Sequence, residues 1–348
     1  GVLLFTLISA FVNGVTNIVV NDLVILCIRL FSLIIIMSNV DSEHFKKVYI
    51  NTIFVIAAVS LPCFFLKLIV PSLTLPFTIQ DPNTGFYGTF YYTLGTIQKG
   101  VFNRNCGIFW ESGLFQMYLN YALALLIVNQ KKLVKNATVK FVVLSVAVIT
   151  TLSTMGYICY AIVIAMALSA RKSKMEKRIV AFALVALVAL LAVESTTHII
   201  EYKLINKGMS YGSRYDDTMI SLAIARDNPI WGVGPVNDHV YIVESYMEIV
   251  ERLSSGSLSR SNGLGTFLVK FGFAMTLFYL CLVYKRNMEI NSTTRLNTLL
   301  ILIMLICCFC NEPIMFTTLW LSFFFRWKEP EKKINSTNSE LLVPQFEV

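Results

Sequence analysis

The sequence predicts an all-α fold: a polytopic membrane helix bundle with a large loop domain on the outer side. Three observations predict it. Of the 348 residues, 56% are hydrophobic and only 14% charged, at a mean hydropathy of +0.66, whereas soluble domains run at roughly 45–50% apolar and about 25% charged. The apolar residues gather in runs that match a ~30 Å bilayer core, which takes about 20 residues of helix. The Lys and Arg residues collect mostly at one set of loop ends, as cytoplasmic flanks do.

Taken in order, the chain begins at Gly1, and residues 1–13 read as the remainder of a longer span. Direct spans follow at 18–38, 49–69, 110–129, 179–194 and 264–284. Residues 139–170 would make one helix of roughly 48 Å at ~1.5 Å per residue, too long for one upright crossing. Polar residues and a glycine gather at its middle, Thr150 to Gly156, and both flanks are basic: Lys131, Lys132, Lys135 and Lys140 before it, Arg171, Lys172, Lys174, Lys177 and Arg178 after it. Both flanks therefore belong inside, and the run reads as two short helices turning near the outer face. The same reasoning splits 297–325 at Asn311-Glu312-Pro313, between Lys285, Arg286 and Arg295 on one side and Arg326, Lys328, Lys332 and Lys333 on the other. The sum is about ten spans, both ends cytoplasmic, in one membrane domain over 1–348.

Two long loops, 70–109 and 195–262, fall on the outer side. They hold aromatics, glycines and short apolar patterns instead of low-complexity sequence, so both read as folded. In the second, residues 215–226 and 240–253 have the apolar spacing of helices.

Composition also excludes function classes. The net charge of +8 goes with a pI near 9.0, but the basic residues are dispersed among short loops and form no stripe for nucleic acid. The eight cysteines sit mostly in apolar runs with no CxxC or Cys/His spacing; they read as small hydrophobes, with neither a disulfide framework nor a metal site. Asn-x-Ser/Thr triplets at Asn136, Asn291 and Asn335 fall on the cytoplasmic side and read as chance matches. Gly232-Val233-Gly234-Pro235 is a turn, since no strand precedes it and no phosphate-cradling helix start follows.

The residues that carry chemistry lie in the outer loops. Lys99, Arg104, Lys203, Lys207, Arg214, Arg226, Arg252 and Arg260 stand on a face that does not favour cations, which points to an anionic ligand. Arginine suits phosphate because its planar fork makes two parallel charge-assisted bonds. The plainer reading pairs them with Asp216, Asp217, Asp227, Asp238, Glu244, Glu248 and Glu251 as surface ion pairs, worth ~0–1 kcal/mol each. Glu111, in Phe109-Trp110-Glu111-Ser112-Gly113, is a carboxylate at a span mouth that suits a general base or an acceptor of sugar hydroxyls; it serves equally to neutralise Arg104. Arg29 is mid-span, a functional charge or the partner of Asp22. His239, beside Asp238, is the histidine best placed in an outer loop, although a lone histidine is more often structural.

Arg104-Asn105-Cys106-Gly107-Ile108-Phe109-Trp110-Glu111-Ser112-Gly113 resembles the R-x-x-G-x-F/W-x-E-x-G stretch of the bacterial O-antigen polymerase and ligase superfamily. Ser213-Arg214-Tyr215, followed by Asn228-Pro229-Ile230-Trp231-Gly232-Val233-Gly234, is similar to that family's large-loop pattern of an Arg, a helix and N-P-x-x-G-x-G. Ser261-Asn262-Gly263-Leu264 through Phe271-Gly272 resembles its lead into the next span, and Leu152 to Gly156 its short-helix break. Together these cover most of the chain from about residue 100 to 285. Ligase members usually carry a His before that Asn; here it is Ser261, which favours a polymerase.

The resemblance implies a multi-pass glycosyltransferase of the bacterial cytoplasmic (inner) membrane that polymerises polyprenyl-diphosphate-linked oligosaccharide repeat units into O-antigen or capsular polysaccharide at the outer face. Arg104 and Arg214 would bind the diphosphate, with Arg260 as a third cation, and Glu111 would be the base, with His239 the runner-up. Tyr91, Tyr92, Trp231 and Tyr241 would face the glycan. No metal or cofactor is implied. The partners are the lipid-linked oligosaccharide and membrane lipids, with room for a chain-length regulator protein and none for nucleic acid. The rival readings are an O-antigen ligase and a flippase of lipid-linked glycans; the flippase reading lacks a visible internal repeat and midplane charges.

Overall fold

The computed structural model describes residues 20–70, 79–81, 86–88, 92–97, 102–129, 134–170, 209–234, 262–291, 294–312, 315, 317–326 and 328. They are nearly all helical. The helices are α1 (Val20–Asn39), α2 (Ser42–Ile69), α3 (Ser112–Asn129), α4 (Ala137–Thr150), α5 (Thr154–Ala170), α6 (Met209–Asp227), α7 (Gly263–Asn291), α8 (Arg295–Asn311) and the short α9 (Thr318–Leu321), which runs into a 3-10 turn over Ser322–Phe324. The expected span at 179–194 and the helical spacing at 240–253 lie outside the described residues.

The all-α expectation needs one amendment. Between α2 and α3 the chain forms an antiparallel meander of β1 (Ile79–Asp81), β2 (Phe86–Gly88), β3 (Thr93–Ile97) and β4 (Phe102–Asn105), ordered β1-β2-β3-β4. Its registers pair Gln80 with Tyr87, Gly88 with Thr93 and Gly95 with Arg104. Strands of three to five residues are too short to show a period in the sequence, and they use the Thr, Tyr and Phe that suit a pleated surface. Tyr92, expected to face a glycan, is fully buried.

Three described helices, α2, α3 and α7, are long and apolar enough to cross a membrane; α4 and α8, with most of α1 and α5, are shorter apolar helices. Their burial sorts them. The apolar window of α3 is 83% buried, against 28% for α2 and 50% for α7, so α3 is the central post. Helices α2, α4, α5, α7 and α8 all touch it. The outer helices keep apolar residues exposed, among them Phe31, Ile35, Val55, Phe65, Leu277 and Phe278, a surface that suits hydrocarbon better than water.

Hydrogen bonds fix the directions. At the foot of the bundle Lys46 of α2 donates to Asn129 Oδ1 (3.1 Å) and to the Ile290 carbonyl (2.7 Å), while Asn129 donates to Asn291 Oδ1 (3.1 Å). At the head, Asn105 donates to Ser60 Oγ (3.2 Å) and Thr150 Oγ1 (3.0 Å). Thus α2 and α4 rise as α3 descends. Helix α4 stops at Thr150, Leu152 takes a left-handed φ of 48°, and α5 starts at Thr154 and descends. Cys159 then donates to the Met304 carbonyl of α8. The polar break read from Thr150 to Gly156 is thus a reversal of the chain.

The expected second arm of 297–325 differs. Among its described residues only Thr318–Leu321 and Ser322–Phe324 are helical, far short of the ~20 residues of a crossing. Glu312 lies against Gly113 at the head, whereas Lys328 bridges Asp41, the N-cap of α2, at the foot. In between, among the described residues, α9 and its 3-10 turn are the regular elements, and Met315, Trp320, Leu321 and Phe323 are buried. Irregular backbone at this depth is tolerated because protein surrounds it. Trp320 is the hub of that contact, with its ring centroid 5.4 Å from those of both Tyr121 and Phe309, and its carbonyl accepting the Tyr279 hydroxyl at 2.9 Å.

Candidate functional site

The segment from β4 to the start of α3 joins the head of the bundle. Asn105, fully buried, ties α2 to α4 through the two bonds above, and its Oδ1 accepts the Gly107 N–H at 3.0 Å. Gly107 has φ 58°, and a Cβ there would meet the Phe115 ring at 2.9 Å, so this turn needs glycine. Phe109 follows, stacked on Tyr118 at 4.8 Å, while Trp110 and Glu111 remain exposed.

Arg104 is half-buried. Its Nε donates to the Thr151 carbonyl and its Nη2 to the Leu152 carbonyl, both at 3.1 Å. These are carbonyls at the C-terminal end of α4, where no helical N–H follows to satisfy them and a cation is favourable. Arg104 therefore holds the helix break through its fork, and it shares one connecting segment with Glu111.

Below that turn, one face of α3 is polar. Ser112, Gln116 and Asn120 follow one another at helical spacing of four and are buried. Asn120 Nδ2 donates to Gln116 Oε1 (2.9 Å) and to the Gly156 carbonyl of α5 (3.2 Å). Gly156 is needed for this approach, since a Cβ there would stand 3.0 Å from that of Gln116. Ser112 Oγ, Gln116 Nε2 and Asn120 Oδ1 have no hydrogen-bond partner among the described residues, and each such atom costs about 1–3 kcal/mol to bury.

The C-terminus of α8 closes this face. Glu312 is 3% exposed; its Oε1 accepts from Asn311 Nδ2 at 2.8 Å and lies against Gly113, where a side chain of any size would collide with it. The carboxylate thus sits in the first turn of α3, where peptide N–H groups favour an anion. In the sequence Glu312 reads only as part of a turn; a carboxylate at the end of an apolar run is the signal that marks it.

A second candidate region is built on α6 and α7. Asn262 Nδ2 donates to Thr218 Oγ1 (3.0 Å) and its Oδ1 accepts the Gly265 N–H (2.8 Å), so it starts α7 and holds α6 beside it. The loop after α6 then enters α7 itself. Val233 N–H donates to the Val269 carbonyl (2.8 Å), Gly234 N–H to the Lys270 carbonyl (3.1 Å), and Phe273 N–H to the Pro229 carbonyl (2.7 Å). Gly272, at φ 72° and ψ 179°, breaks the helix there. The kink brings the Phe267 ring within 5.3 Å of Tyr279.

Of the residues singled out from sequence, Arg104 and Glu111 lie at the head of α3. Arg214 is on α6, with its side chain outside the described residues, as are Arg260, His239, Tyr91 and Tyr241. Arg226 pairs with Asp227 at 3.3 Å on an exposed surface, the plainer of its two readings. Arg29 is half-buried on α1.

The comparisons with curated proteins and with solved structures found no match. Residues 139–280, which hold most of α4, all of α5 and α6 and the larger part of α7, match the model of the family described as O-antigen ligase. That match supports the O-antigen ligase and polymerase superfamily, whose members are membrane enzymes acting on lipid-linked glycans.

Proposed function

We propose that this protein is a membrane glycosyltransferase that polymerises polyprenyl-diphosphate-linked oligosaccharide units at the outer face of the bacterial cytoplasmic membrane. The family match over 139–280 supports a membrane enzyme acting on lipid-linked glycans, and Ser261 before Asn262 is the observation that favours polymerisation. In the reaction a terminal hydroxyl of one lipid-linked unit attacks the anomeric carbon of the reducing-end sugar on another, and polyprenyl diphosphate leaves. Arg214 and Arg260 bind that diphosphate, and Arg104 adds positive charge at the α4–α5 turn. Fixed cations help most where the leaving group gains charge. Glu111, exposed at the mouth of α3, receives sugar hydroxyls, with His239 as the alternative base. The residues named need no metal or cofactor for these roles.

The family match is equally consistent with a second reading, transfer of a finished glycan to a lipid acceptor by a ligase. Ser261, where ligase members carry a His, supports polymerisation instead. Incubating purified protein in lipid with synthetic lipid-linked repeat units separates them. A ladder of products is expected. A single transfer that requires a second, lipid A core acceptor identifies a ligase, and no glycan transfer under either condition removes the enzymatic reading.

A further inference from the structure

The hydrocarbon-facing stripe of α7 begins at its kink. No residue from Gly263 to Gly272 is exposed, since α6 descends beside that stretch, with Thr218 meeting Asn262 and the loop after α6 reaching Val269. Below the kink Phe273, Leu277 and Phe278 are exposed. The apolar surface also continues upward, onto the loop. The Phe273 N–H donates to the Pro229 carbonyl at 2.7 Å, and Ile230 lays its backbone against Gly272 while its side chain is 57% exposed. Pro229 is exposed beside it.

The height of this loop tip follows from the helices. From Ile290, which accepts Lys46 at the foot, up to Gly272, α7 rises roughly 27 Å; from Asn129 up to Ser112, α3 rises roughly 26 Å. Both rises match a ~30 Å hydrocarbon core, so the kink and the mouth of α3 lie at one boundary. The mouth of α3 presents apolar groups there too, Ile108 and the 68% exposed Trp110, and tryptophan at that level is the mark of a lipid–water interface. Arg226 adds a cation about one helical turn, ~5 Å, above Ile230, within the depth of the headgroup layer. Its side chain is 79% exposed. Its Nε donates to Asp227 at 3.3 Å, and its two Nη groups have no partner among the described residues.

We propose that the Pro229–Ile230 tip and Arg226 form a lipid-docking site on the head-side leaflet, the outer one on the topology expected from the basic flanks. The tip sits where acyl chains meet headgroups, and the Arg226 guanidinium binds a lipid phosphate through its Nη pair. An apolar tip below a cation is the arrangement that holds a segment in the interface. The site fixes the height of α6, which carries Arg214, at the headgroup layer, and it stands whether or not the protein polymerises glycans.

The test uses the full chain in vesicles of phosphatidylethanolamine and phosphatidylglycerol, with a benzophenone photocrosslinker placed in turn at Ile230, at Leu277 as the hydrocarbon-facing reference and at Met219. All three positions are exposed. Met219 adjoins Thr218, which meets Asn262, roughly 15 Å along α7 above the kink and so beyond the headgroups. Irradiation is expected to attach phospholipid at Ile230 and Leu277 and not at Met219. Lipid on Leu277 with none on Ile230, or an adduct of Ile230 with a second copy of the chain, overturns the docking site; lipid on Met219 as much as on Ile230 overturns its height. Arg226→Ala is expected to retain phosphatidylglycerol through detergent extraction about fivefold less than wild type, with an unchanged melting temperature and with Arg226→Lys recovering part of the retention. Wild-type retention by Arg226→Ala removes the phosphate contact, and if the protein labelled at Ile230 does not accumulate, that same result overturns the site.

Discussion

The Phe273 N–H donates to the Pro229 carbonyl at 2.7 Å, a bond that a continuous α7 would instead have made to Val269. The Val269 carbonyl so released accepts Val233 N–H, and the Lys270 carbonyl accepts Gly234 N–H. A broken helix and a loop thus satisfy each other's backbone, which buried peptide groups require. The consequence is positional. The loop is anchored at Asn228, where α6 has just ended, so the break in α7 fixes the C-terminal end of the helix that carries Arg214.

This interlock makes two glycines indispensable. Gly232 has φ 63°, and a Cβ there would stand 2.5 Å from the Phe271 nitrogen; Gly272 has φ 72°, and a Cβ there would meet the Pro229 carbonyl oxygen at 2.7 Å. The obstacle is backbone in both cases and cannot swing away. Gly232→Ala and Gly272→Ala are each expected to cost about 1–3 kcal/mol from backbone strain alone, read as a fall in melting temperature of purified protein. Wild-type melting for either variant would mean that the interlock does not form.

Asn105 makes a comparable joint at the head of the bundle, with bonds to Ser60, Thr150 and Gly107. Asn105→Ala deletes the shared partner and strands buried groups on two helices and a turn. A loss of about 1–3 kcal/mol is expected. Asn105→Asp should lose a similar amount, because it keeps the acceptor for Gly107 but no longer donates to Ser60 and Thr150. Thermal unfolding of the two variants beside wild type checks this, and unchanged stability in both would remove Asn105 as a joint.

How much of this was legible in the sequence depended on the physics behind each element. The reversal between α4 and α5 was legible, because a run too long for one crossing carried a polar centre and two basic flanks. Gly232-Val233-Gly234-Pro235 was legible as a turn, but the docking of Val233 and Gly234 onto α7 was not, since that depends on backbone contacts between segments far apart in the chain. The second arm of 297–325, after the turn at Asn311-Glu312-Pro313, reads as a helix from its hydropathy, but its described residues are helical only over Thr318–Leu321 and Ser322–Phe324, because hydropathy sees apolar side chains and not the lack of length. Glu312 escaped notice for a related reason: burial against Gly113 is a tertiary property, and only the exposed Glu111 matched a known pattern.

Arg104 reads from sequence as a phosphate ligand, and its geometry adds a structural duty with its own test. Arg104→Lys keeps the charge but has no planar fork to reach the Thr151 and Leu152 carbonyls together. Bonds from charged groups are worth about 1.5–3 kcal/mol, so Arg104→Lys is expected to lower the melting temperature measurably and Arg104→Ala further. Were both variants as stable as wild type but inactive, the guanidinium would serve substrate and not the helix break.

Arg214 should behave in the opposite way. It lies on α6, at the head of the stretch 213–234 that resembles the superfamily's large loop, and the proposed role is to grip a diphosphate whose charge grows as it leaves. Arg214→Lys keeps the charge and loses the paired geometry; Arg214→Ala loses both. Removing one such contact is expected to lower the polymerisation rate on the order of 10²-fold, more in Ala than in Lys. Membrane abundance and melting temperature should stay near wild type, because the anchors of α6 are Asn262 and the loop in α7, and neither uses Arg214. An ion pair with Asp216 or Asp217 would give another pattern, a mild loss of activity with any larger defect following reduced abundance. Chain-length profiles of the polymer, measured beside protein abundance for both variants, decide between them. Long, wild-type polymer from well-expressed Arg214→Ala protein would take Arg214 out of the site.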